Sequence, residues 1–171
     1  MLEDVMNFKM PLVGIVLASF SSLCYALKSD ADQPVTIDSN AASYDDKKQL
    51  SIYTGSVVTD QGSLHIESDK LVVHLKDGEI EKMVFTGKPA RFRQLPDQGQ
   101  DEIHGEGLTG EYYPQKNKLI LIEQAVVSQG NNRSSSRLIT YDSKNSLIMA
   151  GEKSSDSKRV HSVFQPKKKT E

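Results

Sequence analysis

Tryptophan is absent from this sequence, cysteine occurs once, and aromatic residues make up only 6%. The lone Cys24 excludes an intramolecular disulfide framework and any multi-cysteine zinc or iron–sulfur site. Charge of one sign is also missing, with 21 Lys and Arg against 23 Asp and Glu and a net charge of -2. A nucleic-acid binder built on a broad basic face would carry a clear cation excess, so that class is set aside. The apolar fraction is lean at 37%. Even so, Val, Ile and Leu recur in short regular runs, which separates the chain from disordered sequences. A length of 171 residues amounts to about one domain.

Only one long hydrophobic run is present, from Pro11 to Phe20, preceded by Lys9 and followed by Ser21 and Ser22. Small residues at Cys24 and Ala26 complete the pattern of a secretory signal peptide over residues 1–26, cleaved after Ala26. Glu3 and Asp4 spoil its positive start, and initiation at Met6 would restore it. Two rivals stay open. An uncleaved anchor wants about 20 predominantly apolar residues, and here serines dilute the run. A lipoprotein wants a small residue before the modified cysteine, and Leu23 stands there. Cleavage would remove the only cysteine and leave the charges nearly balanced, a composition at ease in an oxidising compartment.

Past a polar lead, apolar residues alternate in pairs: Val35-x-Ile37, Leu64-x-Ile66, Leu71-x-Val73 and Ala90-x-Phe92. Period-2 spacing places each pair on one face of an extended strand. Turn signals separate the runs at Asp60-Gln61-Gly62, Lys76-Asp77-Gly78, Gly87-Lys88-Pro89, Gly130-Asn131-Asn132 and Asp142-Ser143-Lys144-Asn145. Many short strands at this spacing point to an all-β sandwich, barrel or roll over residues 27–164. An imperfect repeat runs through it. Tyr44 precedes Leu50 as Tyr113 precedes Leu119 and Tyr141 precedes Leu147, and Val57–Gly62 echoes Ala125–Gly130. Such echoes arise in any β meander, or they mark stacked strand pairs with open edges able to accept another chain's strand. The basic tail, residues 165–171, has no apolar partner and is expected to be disordered.

Chemistry-bearing residues do not assemble into a motif. His65, His74, His104 and His161 form no metal-ligand spacing. The run Gly105-Glu106-Gly107-Leu108-Thr109-Gly110 is not a phosphate-binding GxGxxG and has no strong strand before it. Ser134-Ser135-Ser136 lacks a nucleophile elbow and reads as a loop. No enzyme is expected, although the two carboxylates of a hydrolase need only meet in space.

Four stretches occur in a distinctive order. Asp32-Gln33-Pro34-Val35-Thr36-Ile37-Asp38-Ser39 is followed by Tyr53-Thr54-Gly55-Ser56-Val57 and Asp60-Gln61-Gly62-Ser63-Leu64-His65-Ile66-Glu67-Ser68-Asp69-Lys70-Leu71. Gly87-Lys88-Pro89-Ala90-Arg91-Phe92 completes the set. Together they resemble the OstA-like family of periplasmic lipopolysaccharide-transport proteins, over about Asp32 to Phe164. The region from Gly105 to Gly130 matches more loosely, and Glu123-Gln124-Ala125 stands where the family often keeps Thr-Gly-Asn. The resemblance implies a β-jellyroll of stacked antiparallel strands with an open V-shaped groove that shields lipopolysaccharide acyl chains. It implies a periplasmic bridge to the outer membrane, pairing with an inner-membrane anchored jellyroll, an outer-membrane translocon and further copies head to tail. A membrane-anchored member of the same pathway is the alternative. No cofactor, catalysis or nucleic acid is implied. For the groove, the expected residues are Val35, Ile37, Ile66, Val73, Phe85, Phe92, Tyr112 and Leu121, against the plainer reading that they fill a closed core. For the partner edges they are Val35, Thr36 and Ile37 at one end and Val160, His161, Val163 and Phe164 at the other.

Overall fold

The structure is a computed structural model that describes residues 30–96, 100–151 and 159–166. The expected signal peptide, its cleavage site and most of the basic tail lie outside those residues. A short 3-10 turn, Asp30–Asp32, leads into ten strands. They are β1 (Thr36–Asp38), β2 (Ala41–Asp45), β3 (Leu50–Gln61), β4 (Leu64–Lys76), β5 (Glu79–Gln94) and β6 (Ile103–Tyr113), then β7 (Lys118–Gln129), β8 (Asn132–Asp142), β9 (Leu147–Ala150) and β10 (His161–Val163). All join one antiparallel sheet in the order β1-β3-β4-β5-β6-β7-β8-β10, with β2 also on β3 and β9 also on β8. The sheet does not close on itself.

A line of register breaks bends this sheet. The ladders slip at Thr54/Val57, Glu67/Lys70, Thr86/Ala90, Glu106/Thr109 and Ile122/Ala125, one break beside the next. Extra residues in a ladder kink the strand and raise its twist, and stacked kinks make a corner. Backbone requirements mark the line: Gly55 and Ser56 have positive φ, as do Glu123 and Gln124, and the Lys88–Pro89 peptide is cis. Across the corner the inward phase changes. Ile66 and Leu71 are both buried, as are Phe85 and Ala90, although each pair is separated by an odd number of residues. Each long strand therefore contributes to two arms, and both arms turn their apolar faces to one shared interior.

One expected turn and one expected loop lie within strands instead. Gly87-Lys88-Pro89 is part of the corner inside β5, not a reversal between strands. The glycine-rich run lies within β6, and Ser134–Ser136 lies within β8, where Ser134 and Ser162 hydroxyls meet at 2.9 Å. A serine run reads as loop by composition, and neighbouring strands on both sides override that preference. The Tyr-to-Leu echoes all fall at reversals between paired strands: β2 to β3, β6 to β7, and β8 to β9. The echo of Val57–Gly62 in Ala125–Gly130 holds in three dimensions. Val57, Thr59, Ala125 and Val127 point inward, and Gly62 and Gly130 both turn with positive φ.

Candidate functional site: the interior between the arms

Register partners stack into transverse rows. In one arm Thr59, Ile66, Phe92, Gly105, Val127 and Ser134 succeed each other from β3 to β8. In the other arm one row runs Tyr53, Leu71, Phe85, Gly110, Leu121 and Ile139. A second runs Ser51, Val73, Met83, Tyr112, Leu119 and Tyr141. Each arm pairs a phenylalanine with a glycine. A Cβ on Gly105 would run into the Phe92 ring, and one on Gly110 into the Phe85 ring. The glycines in β6 thus make room for rings, which explains why a strand carries them. Phe92 then reaches across the interior to Tyr141, with ring centroids 6.2 Å apart and planes 14° from parallel.

Six of the eight expected groove residues, Ile66, Val73, Phe85, Phe92, Tyr112 and Leu121, lie in one apolar cluster, each less than 5% exposed. Val35 and Ile37 pack half-buried against it. The same cluster includes Leu64, Leu71, Met83, Ala90, Leu119, Ala125, Ile139 and Tyr141, which are not among the expected groove residues. Burying such side chains stabilises by about 1.5–3 kcal/mol each. At the expected edges, β1 and β10 are the terminal members of the strand order. Val160, Val163 and Phe164 are exposed, Phe164 at 75%.

One end of the interior opens as a mouth of about 1010 Å³ between the tips of the two arms. Val35 and Ile80 contribute apolar surface there, and Asp32, Glu79 and Lys144 contribute charge. The Asp30–Asp32 turn lines it as a strap tied to the tip of the arm that carries Gln61, Ser63 and Gln94. The Asp30 carboxylate accepts from Ser63 N at 2.7 Å, Ser63 Oγ at 2.6 Å and Gln94 Nε2 at 2.6 Å. Buried Gln61 donates through Nε2 to the carbonyls of Ala31 at 3.2 Å and Gln33 at 3.0 Å. Burial, and secondly the charge of Asp30, raise the pKa of the Tyr112 phenol.

The outer face is polar. Arg91 and Arg133 both approach Glu106, Arg93 approaches Glu102 at 3.1 Å, and His65 Nδ1 lies 2.6 Å from Asp60. Pairs this exposed contribute little stability. Among the described residues no group of three or more His, Cys, Asp and Glu could hold a metal ion. None of their helices is long and apolar enough to cross a membrane.

These features define an all-β jellyroll of stacked antiparallel strands, folded at a corner around an apolar interior and left open at both edges. Comparison with known proteins narrows the class. The family model described as "LptA/(LptD N-terminal domain) LPS transport protein" matches residues 36–146. The lipopolysaccharide export system protein LptH of Pseudomonas aeruginosa is 35% identical over 169 residues, covering 95% of this chain and 97% of that protein. LptA of Escherichia coli K12 is 32% identical over 169 residues, covering 94% and 90%. The crystal structure of LptH, described as the LptA-homologous periplasmic component of the lipopolysaccharide transport device of P. aeruginosa, superposes with a TM-score of 0.75 at 31% identity. It covers 81% of this chain and 99% of that one. The chain belongs to the LptA/LptH family of lipopolysaccharide transport proteins, a family of transporters and not of enzymes.

Proposed function

We propose that this protein is a periplasmic carrier and bridge that takes lipopolysaccharide from an inner-membrane complex toward an outer-membrane translocon, covering its acyl chains between the two arms. The observation that carries this reading is the apolar interior shared by both arms of an unclosed sheet. An acyl chain in water costs about 0.8 kcal/mol per methylene, so crossing an aqueous compartment requires a cover. The inner rows supply one that is mainly apolar. An acyl chain in the row of Phe92 displaces the contact between Phe92 and Tyr141, which makes loading a separation of the arms. The terminal strands β1 and β10 have open outer edges, suited to strand addition by jellyroll partners and by further copies in a contact that does not close.

Export of the chain by a cleaved segment over residues 1–26 belongs to the same proposal. The function is tested by depleting the protein in its own cell and fractionating the membranes. Newly made lipopolysaccharide is expected to accumulate with the inner membrane; undiminished arrival at the outer membrane would refute the reading.

A further inference from the structure

The bonds that hold the strap form an unusual set. The Asp30 carboxylate is met by three neutral donors: a backbone N–H and a hydroxyl from Ser63, and the Gln94 side-chain amide. Among the described residues no cation contributes to this set. Gln94 is buried, at 6% exposure, and its register partner Ile103 belongs to the apolar core. Leu95 N donates to Ser63 Oγ at 3.2 Å, and the hydroxyl hydrogen has two acceptors in reach, the Asp30 carboxylate at 2.6 Å and the more distant Leu95 carbonyl at 3.0 Å. Three converging donors on a carboxylate are the arrangement that recognises any oxyanion. Beside them, Gln61 is 3% exposed and its Oε1 accepts no hydrogen bond, so the mouth also holds a buried acceptor without a donor.

We propose that Ser63 and Gln94 form an oxyanion site at the mouth of the interior, occupied here by the chain's own Asp30. The phosphate of an incoming phosphorylated amphiphile displaces that carboxylate and lifts the Asp30–Gln33 strap. The inference rests on the carrier reading and adds how the interior is opened and where the charged headgroup goes. Charge supports the exchange. Asp30 and Asp32 leave the mouth together, so of its charged lining only Glu79 and Lys144 remain, one of each sign. Geometry supports it too, because Val35 follows the strap and packs on the apolar cluster, so lifting one loosens the other. Headgroup capture and acyl entry thereby become one event. A hydroxyl of the same ligand can donate to Gln61 Oε1, which the strap leaves unmet.

The test uses the purified protein and three probes: dodecyl phosphate, dodecanol and inorganic phosphate. Amide exchange at Ala31, Asp32 and Gln33 is followed by NMR. Dodecyl phosphate is expected to speed exchange there about ten-fold, as loss of a charge-assisted bond set requires. Dodecanol and inorganic phosphate are expected to leave it unchanged. Asp30→Asn, which keeps the size and removes the competing anion, is expected to bind dodecyl phosphate several-fold more tightly. Ser63→Ala with Gln94→Leu is expected to bind dodecyl phosphate no better than dodecanol. Dodecyl phosphate binding with the strap still protected would overturn the oxyanion site and leave the carrier reading intact. Release by inorganic phosphate alone would overturn the amphiphile as ligand. Failure of both dodecyl probes to bind either wild type or Asp30→Asn would sink the carrier reading along with this one.

Discussion

Phe92 of β5 and Tyr141 of β8 stack across the interior from opposite arms, with centroids 6.2 Å apart. Both are at most 3% exposed, so the pair closes the interior at that level. Removing the ring leaves a cavity that neighbouring strands, fixed in their ladders, fill only in part. Phe92→Ala is expected to cost about 3–5 kcal/mol in urea denaturation, and Phe92→Leu clearly less. Phe92→Asp would bury an unpaired carboxylate, and its expected result is unfolding seen by circular dichroism.

The glycines of β6 separate into two kinds. Gly105 and Gly110 lie under the rings of Phe92 and Phe85, whereas the nearest atom to a Cβ on Gly107 would be 3.4 Å away. Phe92 is held by Tyr141 and Phe85 is fully buried, so neither ring has room to yield. Gly105→Ala and Gly110→Ala are each expected to lose about 1–3 kcal/mol by overpacking. Gly107→Ala is expected to fall well short of that in the same denaturation series.

At the corner, Glu123 and Gln124 both hold positive φ, 60° and 52°. The left-handed region strains an ordinary side chain and suits glycine or asparagine. Gln124→Gly is therefore expected to raise stability by about 0.5–1 kcal/mol, read as a higher thermal midpoint. A lower midpoint would mean that the exposed side chain contributes more than its strain costs.

Two tyrosines set an alkaline limit. Tyr113 donates to Glu111 at 2.7 Å, and that bond, more than its slight burial or the nearby carboxylate charges, lifts its pKa to about 12. Tyr112 is raised by burial and then by Asp30. A phenol raised on folding contributes stability that is complete below its unfolded pKa near 10 and is lost as pH climbs through the folded value. With no Trp in the chain, tyrosinate absorbance reads this directly. Tyr113 is expected to titrate near pH 12 and Tyr112 only as the fold opens, and Tyr113→Phe should remove the first of these steps.

Fold class was legible because period-2 pairs such as Leu64-x-Ile66 and Leu71-x-Val73 place apolar residues on one face. What they could not show is that both faces look into the same interior, since the register break between Glu67 and Lys70 reverses the phase. The same reversal hid Met83, Ile139 and Tyr141, which gain their place from the corner and not from local alternation. Serine within β8 reads as loop, and the glycines of β6 carry no legible purpose, because their structural reason, a neighbouring strand or a ring, lies far away in sequence. The strap was invisible for a related cause. Asp30, Ser63 and Gln94 are ordinary surface residue types, and only the mouth brings them together.

The central claim, that acyl chains travel between the arms, is tested most directly by photo-crosslinking in living cells from two neighbouring positions on opposite faces. Phe92 points into the interior at 3% exposure, and the adjacent Arg91 points outward. A photoreactive phenylalanine at position 92 is expected to capture lipopolysaccharide, and the same probe at position 91 is not. Equal capture from both, or none from position 92 in protein shown to be folded, would contradict it.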